Sequence, residues 1–285
     1  MGDNMRRWLS FDVAGACCAA TIDEGRDSHG LLIVSGGNEI RTGAHRAMAR
    51  LAALVSGAGH PVFRFDRRGI GDSEGENGGF LSSAADIAAA VAHFRTECPH
   101  ITRITAFGNC DAASAAVLHH HGVGINALIL ANPWVIDADC TEVAPDDAPA
   151  MPPPAVIRAR YLAKIKNPHE WLRLLRGGVD LRKLARGIRS ASASTPSGTL
   201  SGLAAKIADG ITSFDGPITI LIASRDGTAI AFMAALSTGP LANACKPSAR
   251  KQCYIRQCNS ASHSFSDDAA RAWFDEQILS AMASR

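Results

Sequence analysis

The sequence lacks the features that would place the chain in a membrane, outside the cell or on nucleic acid. Its 285 residues contain no apolar run that approaches the roughly 20 residues of a membrane-spanning helix. After Arg6 and Arg7, Asp12 interrupts the chain before the apolar region of a signal peptide can form. The net charge is only +2, so the whole molecule has no electrostatic attraction to nucleic acid or lipid. We therefore expect a cytoplasmic protein with no nucleic-acid partner.

The sequence also lacks the paired cysteine spacing of a zinc site. Of its eight cysteines, Cys17 and Cys18 are adjacent, and Cys253 and Cys258 are five residues apart. This pattern favours reduced thiols. Three consecutive histidines, 119–121, point in different directions on a helix, which predicts a solvated helix end rather than a metal site. We expect neither a metal nor a cofactor.

Apolar stretches alternate with helical patterns along most of the chain, and this rhythm predicts an α/β fold. Short apolar runs of the kind found in buried strands occur at 30–37, 61–66, 101–108, 125–133, 216–224 and 251–258. Helical spacing of apolar residues occurs between them, at 45–59, 82–96, 111–121, 229–237 and 267–283. Two antiparallel strands joined at Gly15 come first. The alternation predicts a mostly parallel central sheet flanked by helices.

A proline-rich acidic stretch after Pro133 interrupts this rhythm. We predict a helical cap insertion at 137–211 between two core segments, 1–136 and 212–285. The insertion holds ten Lys or Arg between 158 and 189, against only two acidic residues. Two interpretations of this basic segment stay open: a solvated helix face, or a site for an anionic partner such as a lipid surface, an acidic polysaccharide or an acidic carrier protein.

One short stretch carries the strongest chemical signal. Gly108-Asn109-Cys110-Asp111-Ala112 lies between a predicted strand and a helix of small residues, and it matches the nucleophile elbow G-x-S-x-G with cysteine for serine and alanine for the last glycine. Small neighbours let the backbone adopt the strained turn that aims the nucleophile out of the sheet. A helix N-terminus also favours the thiolate. We therefore predict that Cys110 is a nucleophile.

Two later residues fit the partners of such a nucleophile. Asp226 follows one predicted strand directly and His263 follows the last, in the chain order nucleophile, acid, histidine. Either residue alone would more often be a solvated cap or a surface histidine. Because the carboxyl ends of parallel strands meet at one edge of the sheet, we expect all three side chains to lie together.

The predicted oxyanion hole is built from backbone groups. It combines the N–H of Asp111 with that of Gly37 or Asn38, in the glycine loop after the first long strand. Glycines there let the backbone approach a substrate oxygen, although a simple tight turn explains them equally well.

The sequence resembles the exosortase A system-associated hydrolases of the first type, which are bacterial α/β-hydrolases related to the serine aminopeptidase and lysophospholipase-like group. The motifs that carry the resemblance are GGNEIRTGAHR, FDRRGIGDSEGENGGF, GNCDAAS, LILANPW, GGVDLRKLARG and ASHSFS. The resemblance implies an α/β-hydrolase fold, Cys110 at the elbow with Asp226 and His263 as its partners, and a setting beside exopolysaccharide export genes. The chain departs from the family at Ala112, where glycine is usual.

A cysteine nucleophile narrows the expected chemistry. A thiolate leaves a tetrahedral intermediate more readily than an amine does, so esters, lactones and thioesters suit the site better than peptides. We expect a small-molecule or carrier-linked acyl substrate that is hydrolysed or transferred through an acyl-cysteine. A carrier-linked acyltransferase or cyclase, and a non-catalytic scaffold that retains the fold, remain alternatives.

The two interpretations of the basic segment differ in one measurable property. If it binds an anionic partner, turnover falls steeply as salt is added, because exposed charges are screened within about 10 Å at 0.1 M salt. Turnover measured across a sodium chloride series tests this, and rates indifferent to ionic strength remove the anionic partner.

Overall fold

A computed structural model describes residues 5–137, 202–237, 239–246 and 252–283. Its strands are β1 (Arg6–Val13), β2 (Ala16–Asp23), β3 (His29–Val34), β4 (Val62–Phe65), β5 (Arg103–Asn109), β6 (Ala127–Ala131), β7 (Ile218–Ala223) and β8 (Cys253–Cys258). Its α-helices are α1 (Ala47–Gly57), α2 (Ala84–Glu97), α3 (Asp111–Leu118), α4 (Gly202–Ser213), α5 (Gly227–Leu236), α6 (Gly239–Ala244) and α7 (Asp268–Ala283).

The strands form one sheet in the order β1-β2-β4-β3-β5-β6-β7-β8. Strands β3 to β8 run parallel to one another, and β1 and β2 form an antiparallel hairpin at one edge. Ala14 and Gly15 connect the hairpin, both with positive φ, as a two-residue turn requires. The predicted α/β architecture with a mostly parallel sheet is confirmed.

Each face of the sheet packs against its own layer of helices. On one face, Leu32 and Val34 of β3 join a core that includes residues of α2, α3 and α4. On the other face, Leu31 and Ile33 join a second core with residues of α1 and α7. The six residues of β3 are all buried because helices cover both faces. This packing fixes the carboxyl ends of β3, β5, β7 and β8 along one edge, where the predicted site residues lie.

Most of the predicted insertion, residues 138–201 with the basic segment 158–189, lies outside the described residues. The described residues on either side of this stretch are hydrogen-bonded to each other: the carboxylate of Asp137 accepts a 2.9 Å hydrogen bond from the N–H of Leu203. Helix α4 spans the predicted boundary at 211/212, and its Ile207 and Ile211 are fully buried in the core. The domain division stays a prediction.

The three consecutive histidines do not form a solvated helix end. Helix α3 ends at Leu118, so they lie beyond it. His120 is buried, and its Nε2 lies 3.0 Å from the carbonyl oxygen of Gly210 in α4. His119 is half-buried, with Nε2 3.2 Å from the carbonyl oxygen of Phe80. His121 is exposed, as predicted, but the prediction is wrong for His120, because the chain turns after α3 and meets α4. Among the described residues, no helix has both the length and the apolar composition of a membrane span.

The close contact between β5 and α3 leaves no space for a side chain at Gly108. A Cβ there would lie 2.5 Å from backbone atoms of Ala112. We predict that Gly108→Ala lowers the free energy of unfolding by about 2 kcal/mol or more, since overpacking typically costs roughly 1–3 kcal/mol. Urea unfolding followed by circular dichroism measures the loss.

The matched control is Gly57→Ala at the end of α1. A Cβ at Gly57 meets nothing within 4 Å. This variant should match the wild type or be more stable, by up to about 1 kcal/mol. Equal stability of the two variants would contradict the proposed clash at the elbow.

Candidate active site

Cys110 occupies the turn between β5 and α3 in a strained backbone conformation. Its φ is 61° and its ψ is −123°, outside the backbone regions favoured by residues other than glycine. Two hydrogen bonds hold the turn: the N–H of Cys110 donates to the carbonyl oxygen of Ala131 (2.9 Å), and its own carbonyl accepts from the N–H of Trp134 (3.2 Å). The observed backbone is therefore that of an elbow, as the sequence predicted.

Ala112 stands in place of the last glycine of the elbow pattern and lies opposite Gly36. Ala112 is buried, and a Cβ on Gly36 would lie 3.5 Å from the Ala112 methyl group. The same Cβ would lie only 2.5 Å from a carboxylate oxygen of Asp111. A side chain at position 36 would therefore clash with Asp111 but make only ordinary contact with the Ala112 methyl group, and the turn forms with alanine at position 112.

His263 and Asp226 lie beside Cys110. Nδ1 of His263 is 3.1 Å from Oδ2 of Asp226, and the His263 ring also forms a side-chain hydrogen bond with Cys110. Asp226 is only 8% exposed, and its carboxylate caps α5 by accepting a 3.1 Å hydrogen bond from the N–H of Ala229. The structure brings the three predicted side chains together; their catalytic roles stay predictions.

The pair of opposite charges stabilises the ionised form of both groups. The hydrogen bond to Asp226, then the one to Cys110, raises the pKa of His263 from its usual 6.5 to about 10, although burial opposes the rise. Burial favours the neutral form of Asp226, but hydrogen bonds from His263 and Ala229 outweigh it and lower the pKa of Asp226. At neutral pH the site therefore holds an imidazolium beside the sulfur of Cys110.

Asn132 is a positioning residue that the sequence did not reveal. It is fully buried, with a positive φ of 42°, just after β6. Its side-chain nitrogen donates to the carbonyl oxygen of His263 (2.9 Å), and its side-chain oxygen accepts from the N–H of Ala223 at the end of β7 (2.9 Å). One amide therefore ties the histidine loop to the strand that leads to Asp226. The Asn-Pro pair after an apolar run signals a turn, but nothing in it points to these partners.

The loop after β3 contributes the other candidate donors. The N–H of Gly37 donates to both carboxylate oxygens of Asp111, at 2.9 and 2.8 Å. Asn38 also lines the cavity at Cys110, and its side-chain oxygen accepts from Asn77. As the first residue of α3, Asp111 has a backbone N–H without an intrahelical acceptor. Since Gly37 is engaged, the geometry favours Asn38 and Asp111 as the oxyanion donors, an assignment that stays a prediction.

The turn after β4 supports this loop. The fully buried carboxylate of Asp66 accepts hydrogen bonds from the backbone N–H and the guanidinium of Arg41. The hydroxyl of Ser73 donates to the carbonyl of Asp66 (2.8 Å) and accepts from the N–H of Ala19 in β2 (2.9 Å). These contacts join the turn after β4 to Arg41, which follows the glycine loop, and to strand β2. We therefore assign the turn after β4 a structural role.

A cavity of about 730 Å³ opens in front of Cys110 and His263. Most of its larger side chains are apolar, namely Phe80, Leu81, Trp134, Ile136 and Leu203. Charged groups at its wall are Glu39, Asp111, Asp137 and Lys206, together with the imidazolium of His263. The cavity therefore suits an apolar group placed with its reactive end at the sulfur.

The pKa of His263 gives the pH dependence of stability. A raised folded-state pKa means that the pair contributes fully below the unfolded pKa of 6.5 and loses this contribution as pH rises through about 10. We predict that the difference in free energy of unfolding between the wild type and His263→Gln is largest near pH 6 and shrinks by pH 10. Urea unfolding at pH 6, 8 and 10 measures it.

Asp226→Asn provides the control, because asparagine keeps an oxygen for the N–H of Ala229 while it removes the charge. It should show the same trend with pH. A difference that stays constant between pH 6 and 10 would contradict the ion pair.

Comparison with known proteins identifies the fold. No protein-family model and no curated protein matches the sequence. Among solved structures, an esterase of Pyrococcus furiosus superposes with a TM-score of 0.63 at 12% identity, over 97% of this chain and 89% of its own. The thioesterase domain from the curacin biosynthetic pathway superposes with a TM-score of 0.54 at 16% identity, over 97% and 100%. An alpha/beta hydrolase of Sphaerobacter thermophilus gives 0.52 at 17% identity, over 95% and 100%. The chain has the α/β-hydrolase fold, and the narrower resemblance to exosortase-associated hydrolases stays a prediction.

Proposed function

We propose that this chain is an acyl hydrolase that attacks esters, lactones or thioesters with the sulfur of Cys110. The observation that carries the proposal is the contact of Cys110 with a histidine that a buried aspartate keeps protonated, at a strained turn that opens into an apolar cavity. Each of these features has a separate physical cause, and their coincidence at one sheet edge is what nucleophilic catalysis requires.

The proposed reaction has two halves. The thiolate of Cys110 attacks the acyl carbon, and the electron pair of the carbonyl bond moves to its oxygen, near the backbone N–H groups of Asp111 and Asn38. When the intermediate collapses, the bond to the leaving group breaks, and the leaving oxygen or sulfur takes the proton of His263. Neutral His263 then removes a proton from water, which attacks the acyl-cysteine and releases the acid. The sulfur leaves as a thiolate beside the restored imidazolium.

The cavity and the fold together suggest the substrate class. Apolar walls favour an acyl chain over a sugar, whose hydroxyl groups need polar partners. Similarity in fold to an esterase and to a thioesterase domain agrees with an ester or thioester bond. A cysteine nucleophile also favours an ester or thioester bond, since a thiolate cleaves amides poorly.

Three narrower expectations belong to this proposal. They are transfer of the acyl group to an acceptor other than water, a link to exopolysaccharide production, and an anionic partner at 158–189. The first follows from the acyl-cysteine itself, a thioester close in energy to a thioester donor. The other two are supported only by the sequence.

We predict that Cys110→Ala abolishes turnover of short-chain nitrophenyl esters and acyl thioesters while the protein stays folded. Intact-protein mass should show an acyl adduct on the wild type and none on the variant. A panel of acyl donors read out by mass would also identify the preferred acyl group, because the adduct reports what has been attached.

Cys17→Ala is the matched control, because this cysteine is exposed and does not line the cavity. It should retain wild-type turnover. Unchanged rates in Cys110→Ala would end the proposal, and inertness of the wild type to every donor would favour a scaffold.

A further inference from the structure

We propose that the side chain of Asp111 is a positioning residue for the oxyanion loop, held against the nucleophile elbow by its bonds to Gly37. The inference rests on the proposed function, because it concerns the transition state of that reaction. It adds a role for a carboxylate that the triad mechanism does not use.

The carboxylate of Asp111 accepts hydrogen bonds directly from the loop after β3. Both of its oxygens lie within 2.9 Å of the Gly37 nitrogen, which comes from a loop 74 residues earlier in the chain. This approach is possible because Gly36 has no side chain: a Cβ there would lie 2.5 Å from Oδ1 of Asp111. Gly37 has a positive φ of 51°, a conformation that glycine adopts without strain. Gly36 and Gly37 therefore allow the loop to lie against the carboxylate at the start of α3.

A buried cation holds the same glycine from the other side. Arg67 is only 4% exposed, and its guanidinium donates to the carbonyl oxygen of Gly37 (2.6 Å) and to the hydroxyl of Ser83 (2.9 Å). Burial lowers the pKa of Arg67, and the charge of Asp111 opposes that effect. An anion at the N–H and a cation at the C=O of one residue strengthen both hydrogen bonds, because each polarises the peptide groups between them.

A glycine-containing loop needs such an anchor to act as an oxyanion hole. Glycine has the largest conformational freedom of any residue, so an unanchored loop would sample many positions of its N–H groups. Donors must be held within roughly 0.5 Å of the productive geometry, and a displacement of about 1 Å lowers the rate by about 100-fold. The neighbouring N–H of Asn38 would therefore lose its alignment if the Asp111 carboxylate were removed.

A competing explanation must be separated by experiment. An acidic residue in the first turn of a helix stabilises that helix through its dipole, and a carboxylate near a thiol alters its reactivity. Two reactions of Cys110 distinguish these effects. Alkylation by iodoacetamide forms the C–S bond and releases iodide without an oxyanion, so it reports the thiolate. Acylation by p-nitrophenyl acetate builds an oxyanion, so it reports the thiolate and the donors together.

The experiment compares both rates in the wild type, Asp111→Ala and Asp111→Asn. We expect acylation to fall by about 10- to 100-fold in Asp111→Ala, with kcat reduced and KM nearly unchanged, because the interaction exists only in the transition state. Asp111→Asn should lose less, since its amide oxygen still accepts one hydrogen bond. Alkylation should stay within about threefold of the wild type, or become faster, in both variants.

Asp12→Asn is the matched control, because the Asp12 carboxylate also accepts a glycine N–H, that of Gly15, but in the turn after β1. Both of its rates should equal those of the wild type. A parallel fall in alkylation and acylation in the Asp111 variants would overturn the inference, and so would unchanged acylation. If Asp111→Ala fails to fold, the ratio of the two rates in Asp111→Asn decides. A wild type that accepts no acyl group on Cys110 would instead refute the proposed function.

Discussion

The strained backbone of Cys110 is the constraint on which the rest of the site depends. A positive φ at a residue that must keep its side chain costs roughly 1–3 kcal/mol, so the surroundings have to enforce it. They do so by bringing β5 and α3 into backbone contact at Gly108 and by fixing both sides of the turn with hydrogen bonds to the end of β6 and the chain just after it. The turn holds the side chain of Cys110 beside the ring of His263.

The position of the His263 ring depends on buried polar groups that connect distant segments of the chain. Asp226 and His263 follow different strands, and the amide of Asn132 joins the end of β7 to the backbone of His263. Because Asn132 is fully buried, removing either hydrogen bond would leave a polar group without a partner, typically a loss of about 1–3 kcal/mol. The electrostatic pairing of His263 with Asp226 therefore rests on a neutral residue that touches neither carboxylate nor sulfur.

Local pattern was sufficient to predict the parallel strands, the elbow at Cys110 and the positions of Asp226 and His263, because each of these three residues lies in the loop at the carboxyl end of a recognisable apolar strand. What could not be predicted depends on contacts between distant segments. The three histidines after α3 were predicted to be solvated, but His120 is buried against α4, and Asn132 stood out in the sequence only as part of an apolar run. Asp111 looked like a helix-start residue. Its bonds to Gly37 depend on how closely β3 and β5 bring their loops together, and no spacing along the chain records that distance.

The charges around the cavity also bear on the direction of the reaction. Glu39, Asp111 and Asp137 outnumber Lys206 at its wall, while the walls themselves are mostly apolar. A neutral ester or thioester enters such a cavity without electrostatic penalty. In the proposed reaction, the acid formed by hydrolysis carries a negative charge, which the His263 imidazolium attracts and the three carboxylates at the cavity wall repel. Under the proposed function, these carboxylates weaken binding of the charged acid relative to the neutral acyl substrate, which opposes the return of the acid to Cys110.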